Sequence, residues 1–562
     1  MRIPLLLLIA AAAFGIAASS VVVLGGFTWG LPSSKHVQSY HPDEQNITYS
    51  LRNMKPHELD FNPRFYGNPT FYTYQMGALA LAGSVAGVLP REMDTEYWLA
   101  NPGAVRRFYI LGRGLSLAYA LGALVLVYLV ARRLSGGHLA AVLATAIFAS
   151  LPAFAVHSNY MTVNSSAVFW SLAALAVSLR IREQPSWQNY LLAGAFAGFA
   201  VSTKLNNALL PLAIFVAHLQ APVELRWQAR LASGRLWAAA GVCVAAFFVG
   251  SPYYLLAFDS VRSDPHNQMN MAAFLSMSDP LGRVISDFWY HLSAACGPFM
   301  AGAFLVATPA VLLVDRRRTA PAVAVALPFL IIAVKSGWWA FPSRLLPLLA
   351  LMPFLAAHLF EKSRSYSVAR LLATLLLAGA FAACGIWNAA YFNLMRHEHI
   401  RAESSEWIAS NIPHGSEIAV LETPYYDDPD VIYQTSLHPG SPGAMPYQII
   451  NLEGDYRALE SVDVEWLVIP QRFEQKLADA GLTGITTYAQ AYGFTLAKSF
   501  SREFGVFGLT LRDWVPADMV QQYPVYIFRR SVGRMMHSGV FVDSERAGHY
   551  NQRAMLAGTS PF

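Results

Sequence analysis

The chain has 562 residues, of which 55% are hydrophobic and only 13% are charged. An average soluble domain carries about 25% charged residues, so this composition excludes an ordinary soluble enzyme and indicates a polytopic α-helical membrane protein. The net charge of +5 is not gathered in a basic block that could follow a nucleic-acid backbone. A nucleic-acid-binding protein is therefore excluded as well.

Apolar segments divide the first two thirds of the chain, and eleven of them have the length and composition of transmembrane helices. The first, Ile3–Phe27, has an apolar run longer than the roughly 7–15 residues of a signal-peptide core, so we predict a retained helix. Phe71–Leu89 is also apolar, and we expect it to lie along the membrane or to dip into it. The eleven predicted spans centre on residues 3–27, 106–131, 138–156, 162–180, 190–203, 206–220, 237–256, 296–314, 320–334, 345–360 and 371–391.

The distribution of basic residues predicts the orientation of these spans. Alternate loops carry clusters such as Arg132–Arg133 and Arg316–Arg318, whereas the short loops between them hold only the scattered cations Lys204, Arg262, Arg283, Lys335 and Arg344. Because cytoplasmic loops are enriched in Lys and Arg, we predict a cytoplasmic N-terminus. The long first loop, residues 28–105, and everything after residue 391 then lie outside. We therefore expect a multi-pass protein of the inner (plasma) membrane with a periplasmic or extracellular C-terminal part.

The chain changes character after residue 391, and we divide it into a transmembrane domain, 1–391, and a second domain, 392–562. The second part has short β-like runs, Glu417–Leu421, Trp466–Ile469 and Val525–Phe528, separated by turn-rich segments. Ahead of them, the pattern over residues 401–411 predicts an amphipathic helix. We expect an extracytoplasmic α/β domain.

Asp43 and Glu44 are the predicted catalytic residues. They lie near the start of the polar loop that follows the first span, where a carboxylate at the membrane face could act as a general base on an acceptor hydroxyl. The alternative is that both complement the dipole of a helix that begins at Pro42. Adjacent helical residues point about 100° apart, so the two acids are not expected to share one role.

Lys204, Lys335 and Arg344 are cations in predicted outer loops, against the positive-inside rule. A lipid phosphate would stabilise them there, since Arg binds phosphate with two parallel hydrogen bonds and Lys acts as a point charge. The alternative is that they extend toward the membrane interface from helix ends.

Further predicted substrate-binding residues lie in the first outer loop and at the outer ends of the third and fourth spans. Aromatic and amide side chains suit sugar faces and hydroxyls, although an interfacial aromatic belt would show the same composition. These residues are His41, Arg64, Tyr66, Asn68, Tyr72, Tyr160 and Asn164. Asp427, Asp428 and Asp430 resemble a metal loop, but we favour a solvated turn.

The order of these motifs resembles the GT-C glycosyltransferases that use polyprenyl-phosphate sugars, above all the protein O-mannosyltransferases and the bacterial transferase that adds aminoarabinose to lipid A. The resemblance rests on the acid pair after the first helix, on the turn that spans residues 151–160, on Gly194, Gly198 and Lys204, and on residues 341–347. It implies a GT-C-like fold.

The resemblance also implies a reaction. Asp43 would deprotonate the acceptor, the hydroxyl would attack the anomeric carbon with inversion, and Arg344, Lys335 or Lys204 would stabilise the leaving polyprenyl phosphate. Asn164 stands where many relatives carry an Asp. We expect no metal cofactor, because the second outer loop offers no acids of the kind that metal-dependent relatives use. The expected partners are a polyprenyl-phosphate sugar, membrane lipids and an acceptor that is a protein, a lipid or a polysaccharide.

Two other functions remain open from the sequence. A transporter or flippase for a lipid-linked sugar would also place cations and aromatic residues at the membrane face, but inverted repeats, which would support it, are not evident. A non-catalytic assembly protein of the cell envelope would explain the second domain but not the acids and cations gathered on one side. The sugar and the acceptor are not predicted.

Overall fold

The computed structural model covers most of the chain. The described residues are 2–91, 95–222, 227–268, 280–336, 341–363, 365–425, 427–439, 441, 443–482, 484–512, 515–516, 518–520 and 522–531. The last 31 positions of the predicted second domain, 532–562, therefore lie outside the described residues.

Helices dominate the chain as far as Met395. They are α1 (Arg2–Gly26), α2 (Pro42–Asn53), α3 (Phe71–Val85), α4 (Thr95–Ala100), α5 (Pro102–Ser135), α6 (His138–Ser150), α7 (Pro152–His157), α8 (Val163–Glu183), α9 (Trp187–Thr203), α10 (Pro211–Gln220), α11 (Trp227–Leu231), α12 (Gly234–Gly250), α13 (Tyr253–Leu256), α14 (Phe258–Ser263), α15 (Leu281–Cys296), α16 (Pro298–Ser336), α17 (Pro342–Ser363) and α18 (Ser367–Met395).

Among the described residues, seven helical segments are long and apolar enough to cross a membrane. They are Ile3–Gly26, Pro102–Ser135, Val163–Glu183, Gln228–Gly250, Arg317–Lys335, Pro342–Ser363 and Ser367–Asn411. The pair formed by α15 and the first part of α16 is bent by 110° and would be an eighth. The predicted fold class, a polytopic helical membrane chain with a small α/β part, is confirmed.

The number of spans differs from the eleven that the sequence predicts. Three of the predicted spans fall on shorter helices, α6 with 13 residues, α9 with 17 residues and the segment Leu205–Gln220. At 1.5 Å per residue, 17 residues cover about 25 Å, which is less than the ~30 Å hydrocarbon core of a bilayer. Hydropathy alone counts such segments as full spans.

The centre of the helical bundle is formed by α8 and α17. In their most apolar stretches 83% and 89% of the residues are buried, compared with 11% in the segment that contains α12. Helix α12 instead packs on α9 through two glycines. A Cβ atom on Gly194 or Gly198 would come within 2.3 Å of the backbone oxygen of Ala239 or Cys243. These small residues let the two backbones approach closely, as is common between membrane helices.

The part of the chain after Met395 is a small α/β unit. Its helices and strands are α19 (Ile400–Asn411), β1 (Glu417–Val420), α20 (Asp430–Leu437), β2 (Gln448–Asn451), β3 (Trp466–Pro470), α21 (Phe473–Asp479), α22 (Ile485–Ala491), β4 (Phe494–Phe500), β5 (Phe504–Val506), β6 (Leu509–Arg512) and β7 (Val525–Arg530). Five strands form a mixed sheet in the order β2-β1-β3-β7-β4, and β5 pairs with β6. The three strand segments predicted from the sequence are β1, β3 and β7 of this sheet.

Buried ion pairs lie within the α/β unit, and a hydrogen bond from Tyr40 joins one of them to the first outer loop. Arg401 forms an ion pair with Asp430 at 2.7 Å, and the hydroxyl of Tyr40 donates to the other oxygen of Asp430 at 2.8 Å. Arg472 pairs with both Asp427 and Asp428. All three aspartates are buried, so the expectation of a solvated turn is wrong: these carboxylates are stabilised by arginines.

Candidate active site

Helix α2 begins at Pro42, in the loop that follows the first span, because the four residues from His41 to Glu44 favour a helix N-terminus. The side chain of His41, the N-cap, accepts a hydrogen bond from the backbone N–H of Asp43 at 3.2 Å, and Pro42 occupies the first helical position. Asp43 and Glu44 lie in the first turn, where negative charge complements the helix dipole. Their side chains point in different directions, and each belongs to a different cluster.

Glu44 points into the protein and is completely buried. Arg113 of α5, also completely buried, donates to both of its carboxylate oxygens, from Nε at 2.9 Å and from Nη2 at 2.7 Å. The backbone N–H of Met161 donates to Glu44 at 2.6 Å, and the hydroxyl of Ser39 donates to it as well. Both oxygens of Glu44 are thus engaged, which argues against its predicted catalytic role.

Arg113 also forms hydrogen bonds with backbone carbonyl groups at the C-terminal end of α1. Its Nη1 donates to the backbone oxygens of Gly26, Phe27 and Trp29 at 3.2, 3.0 and 2.8 Å. A helix leaves its last carbonyl groups without partners, and Arg113 supplies donors for them. The Glu44–Arg113 pair therefore fixes the start of α2 against α1, α5 and the turn before α8.

The pKa of Glu44 shows the balance of forces in this pair. Burial by itself would raise the pKa of the carboxyl, but the charge and hydrogen bonds of Arg113 outweigh burial and hold it below its usual value of 4.5. Glu44 is therefore ionised at neutral pH. The sequence does contain a signal for Arg113, since an arginine inside an apolar span is costly unless it is paired.

Asp43 points toward the second cluster and is half-buried. Its charge acts on Lys204 and Arg344, two of the three predicted phosphate-binding cations. Within the described part of the chain, its carboxylate oxygens make no hydrogen bond. Unlike Glu44, Asp43 thus has a partly accessible carboxylate whose oxygens can still accept hydrogen bonds. Positive charge lies nearby.

Lys204 follows the last residue of α9, where the chain leaves the helix, and is 8% exposed. Its Nζ donates to the side-chain oxygen of Asn164 at 2.8 Å and to the backbone oxygen of Ser343 at 3.0 Å. Arg344 follows in the first turn of α17, with its guanidinium 5.7 Å from the ring centre of Phe341. Two cations from distant parts of the sequence therefore meet at the N-terminus of α17.

Asp518 is a member of this cluster that the sequence analysis missed. It belongs to the segment between β6 and β7 of the α/β unit, yet its Oδ2 accepts a hydrogen bond from the backbone N–H of Ser343 at 2.7 Å. Its Oδ2 also lies 3.8 Å from Nε2 of His157. Burial raises the pKa of Asp518, the Ser343 N–H opposes this, and the charge of Asp43 raises it further.

Aromatic side chains line the space between the two clusters. The ring of Tyr160 lies 4.1 Å from the ring of His41 and 5.4 Å from the guanidinium of Arg113. The Nε2 of His41 lies 3.3 Å from the backbone oxygen of Asp518, and Asn164 lies 3.4 Å from Nδ1 of His157. Of the predicted substrate-binding residues, His41 thus contacts Asp43, Asn164 contacts Lys204, and Tyr160 packs on His41.

Two of the remaining predicted residues, Arg64 and Tyr72, make their contacts elsewhere. Arg64 is exposed and pairs with Asp60 in the first loop. The hydroxyl of Tyr72 is buried between helices, where it donates to the backbone oxygen of Gly112 at 3.1 Å. These contacts argue against a direct role in binding substrate for either residue. Tyr66 is buried and donates to Asn62 at 2.7 Å, Asn68 is half-buried before α3, and Lys335 is half-buried near the end of α16.

Comparison with known families supports the resemblance that the sequence predicts. A family model described as dolichyl-phosphate-mannose-protein mannosyltransferase matches residues 80–261. The matched part contains Arg113 and Lys204, whereas Asp43 and Arg344 lie outside it. None of the curated proteins matches the chain.

The solved structures that are similar to the chain include one from Cupriavidus metallidurans and two from Archaeoglobus fulgidus. One is ArnT from Cupriavidus metallidurans bound to undecaprenyl phosphate, with a TM-score of 0.46 and 13% identity over 92% of this chain and 97% of that one. Another is the oligosaccharyltransferase of Archaeoglobus fulgidus in the apo form, with a TM-score of 0.46 and 13% identity over 91% and 74%. The third, AglB from Archaeoglobus fulgidus in complex with an inhibitory peptide and a dolichol-phosphate, has a TM-score of 0.43 and 12% identity over 90% and 75%.

Proposed function

We propose that the chain is an inverting glycosyltransferase that moves a sugar from a polyprenyl-phosphate donor to an acceptor hydroxyl at the outer face of the membrane. The observation that carries the proposal is the meeting of Asp43, Lys204 and Arg344, which come from three distant parts of the sequence. A carboxylate with free oxygens beside two cations is the set of groups that this reaction needs. The description of the matching family model supports a lipid-phosphate sugar as donor.

Asp43 is the proposed general base. It takes the proton of the acceptor hydroxyl as the oxygen forms a bond to the anomeric carbon. The bond from that carbon to the phosphate oxygen breaks, and the polyprenyl phosphate leaves with the electron pair. Attack from the side opposite the leaving group inverts the anomeric centre.

Lys204 and Arg344 are the proposed partners of the leaving phosphate. The negative charge on the leaving oxygen grows as the bond breaks, and cations fixed in advance stabilise it most at that point. Lys204 is held by Asn164 and Ser343, so its ammonium group needs no rearrangement. With two cations available, we propose that the reaction is metal-independent. The described residues contain no group of three or more His, Cys, Asp or Glu side chains that could hold a metal ion.

Glu44 is proposed as a positioning residue. It fixes the first turn of α2 through Arg113 and Met161, and the position of Asp43 depends on that turn. The orientation of the protein in the membrane is also part of the proposal. The basic residues of alternate loops support an outer location for the site and the α/β unit, where a flipped lipid-linked sugar would be available.

Release of free polyprenyl phosphate tests the proposal. The full-length protein in detergent is incubated with a panel of polyprenyl-phosphate sugars, and wild type is compared with Asp43→Asn. We expect release by wild type and a loss of about 10²–10⁴-fold in the variant, the usual contribution of a general base. Equal release by both proteins would remove Asp43 from the mechanism. Binding of the donor without release, in the presence of a panel of acceptors, would favour a transporter.

A further inference from the structure

The Asp518 carboxylate is an unusual feature of the site because the α/β unit inserts it into the helical bundle. The residue is only 7% exposed. One carboxylate oxygen accepts from the backbone N–H of Ser343, and the other is buried without a hydrogen-bond partner among the described residues. A buried acceptor without a hydrogen-bond partner is destabilising, so the position of this oxygen needs a physical explanation.

The surroundings of Asp518 have the properties of an anion site. Ser343 is the second residue of α17, a helix of 22 residues, and the backbone N–H groups of a helix N-terminus attract anions. Lys204 donates to the backbone oxygen of the same Ser343, and Arg344 is the next residue along the helix. The charge of Asp518 acts on both cations.

The balance of charge at this site matters for donor binding. Lys204 and Arg344 bring two positive charges, and Asp43 and Asp518, when ionised, bring two negative charges. These four side chains balance one another, so the phosphate of a donor would add unbalanced negative charge in a region of low exposure. Like charges at close range repel strongly where water does not screen them.

We propose that the Asp518 carboxylate competes with the donor's phosphate for the anion site formed by the N-terminus of α17, Lys204 and Arg344. The α/β unit then sets the affinity of the membrane domain for lipid phosphate, and it favours release of the polyprenyl phosphate product. The inference rests on the proposed function, since it takes the ligand of Lys204 and Arg344 to be a phosphate. A purely structural Asp518, which only caps α17, would leave phosphate affinity unchanged.

Binding of a short lipid phosphate tests the competition. The full-length protein in detergent is titrated with farnesyl phosphate and, as an uncharged analogue, with farnesol. Asp518→Asn removes the charge but keeps an oxygen for the Ser343 N–H. Asp463→Asn is the matched control, because Asp463 belongs to the same α/β unit and its side chain is 91% exposed. Asp518→Ser is a second variant if Asp518→Asn does not fold.

We expect Asp518→Asn to bind farnesyl phosphate at least threefold more tightly than wild type, with Asp463→Asn like wild type and the affinity for farnesol the same in all three proteins. Wild-type or weaker affinity for farnesyl phosphate in a folded charge-removing variant would overturn the inference and leave the proposed function standing. Failure of wild type and of every variant to bind farnesyl phosphate better than farnesol would overturn the phosphate site itself, and with it both proposals.

Discussion

Glu44 and Asp43 are adjacent in the sequence but differ in burial and in hydrogen bonding. Glu44 belongs to the ion pair with Arg113, and Asp43 belongs to the cluster with Lys204 and Arg344. Glu44 is completely buried and both of its oxygens are engaged, whereas Asp43 is half-buried and retains free acceptor positions. A carboxylate whose hydrogen-bonding capacity is used up stabilises the structure. A carboxylate with capacity left, beside cations, can take a proton. Two adjacent residues on one helical turn can therefore have different roles, one structural and one catalytic.

Replacement of Arg113 is expected to have the largest effect on stability, and it should affect the Glu44–Arg113 pair rather than the cluster of Asp43, Lys204 and Arg344. Arg113→Met would leave Glu44 buried without its counter-ion and the end of α1 without donors, so we expect a loss of about 3–5 kcal/mol of stability. Thermal unfolding in detergent measures it. Arg107→Met is the matched control, because Arg107 is an exposed residue on the same helix and should change the melting temperature little. A variant as stable as wild type would contradict the structural role of this pair.

Neutralisation of Lys204 is expected to act on donor binding more than on folding. Lys204→Gln removes a charge from the proposed phosphate site, and hydrogen bonds to charged groups contribute about 1.5–3 kcal/mol, so the KM for the donor should rise roughly 10–100-fold. Steady-state kinetics with varied donor measure the effect. Lys55→Gln, at an exposed lysine of the first loop, should leave KM as in wild type. An unchanged KM in Lys204→Gln would exclude this lysine from the phosphate site.

Acid should weaken the Glu44–Arg113 pair in a predictable direction. The folded-state pKa of Glu44 lies below its ordinary value of 4.5, so its contribution to stability is complete above pH 4.5 and is lost as the pH falls through the folded-state pKa. Melting temperatures from pH 6 down to about pH 3 should fall more steeply in wild type than in Glu44→Gln, which has no carboxyl group here to protonate. Parallel curves would show that the pair does not contribute to the acid sensitivity.

Chelation is the smallest expected effect. If Lys204 and Arg344 neutralise the phosphate, removal of divalent metals with EDTA should change the initial rate of sugar transfer by less than about twofold. Added magnesium or manganese should likewise leave the rate within that range. A loss of activity with EDTA that manganese restores would contradict metal-independent transfer and show that a metal shares the charge of the phosphate.

The sequence predicts the cluster of Asp43, Lys204 and Arg344 better than it predicts the Glu44–Arg113 pair. Lys204 and Arg344 are recognisable because they break the charge asymmetry of the loops, and Asp43 because it follows the first span. The role of Arg113 is not predicted, because one arginine changes the mean hydropathy of a long apolar segment very little. Asp518 is not predicted either, because its contact with Ser343 joins residues 175 positions apart and a local pattern contains nothing about such a contact.

The helical part shows the same limit. The positions of the apolar segments could be predicted, since each of the eleven overlaps a helix. The helix lengths could not, because hydropathy averaged over a window does not show where a helix begins and ends, and α6 and α9 have only 13 and 17 residues. In the α/β unit the central strands could be predicted from their apolar runs. The burial of Asp427, Asp428 and Asp430 could not, because it depends on Arg472 and Arg401 elsewhere in the fold.

The most direct test measures turnover and melting temperature together in Asp43→Asn and Glu44→Gln. We expect Asp43→Asn to lose about 10²–10⁴-fold in sugar transfer with the melting temperature of wild type. Glu44→Gln should have a clearly lower melting temperature and keep substantial turnover in the protein that remains folded. The opposite result, with turnover abolished in a fully stable Glu44→Gln and retained in Asp43→Asn, would contradict the roles proposed for both residues.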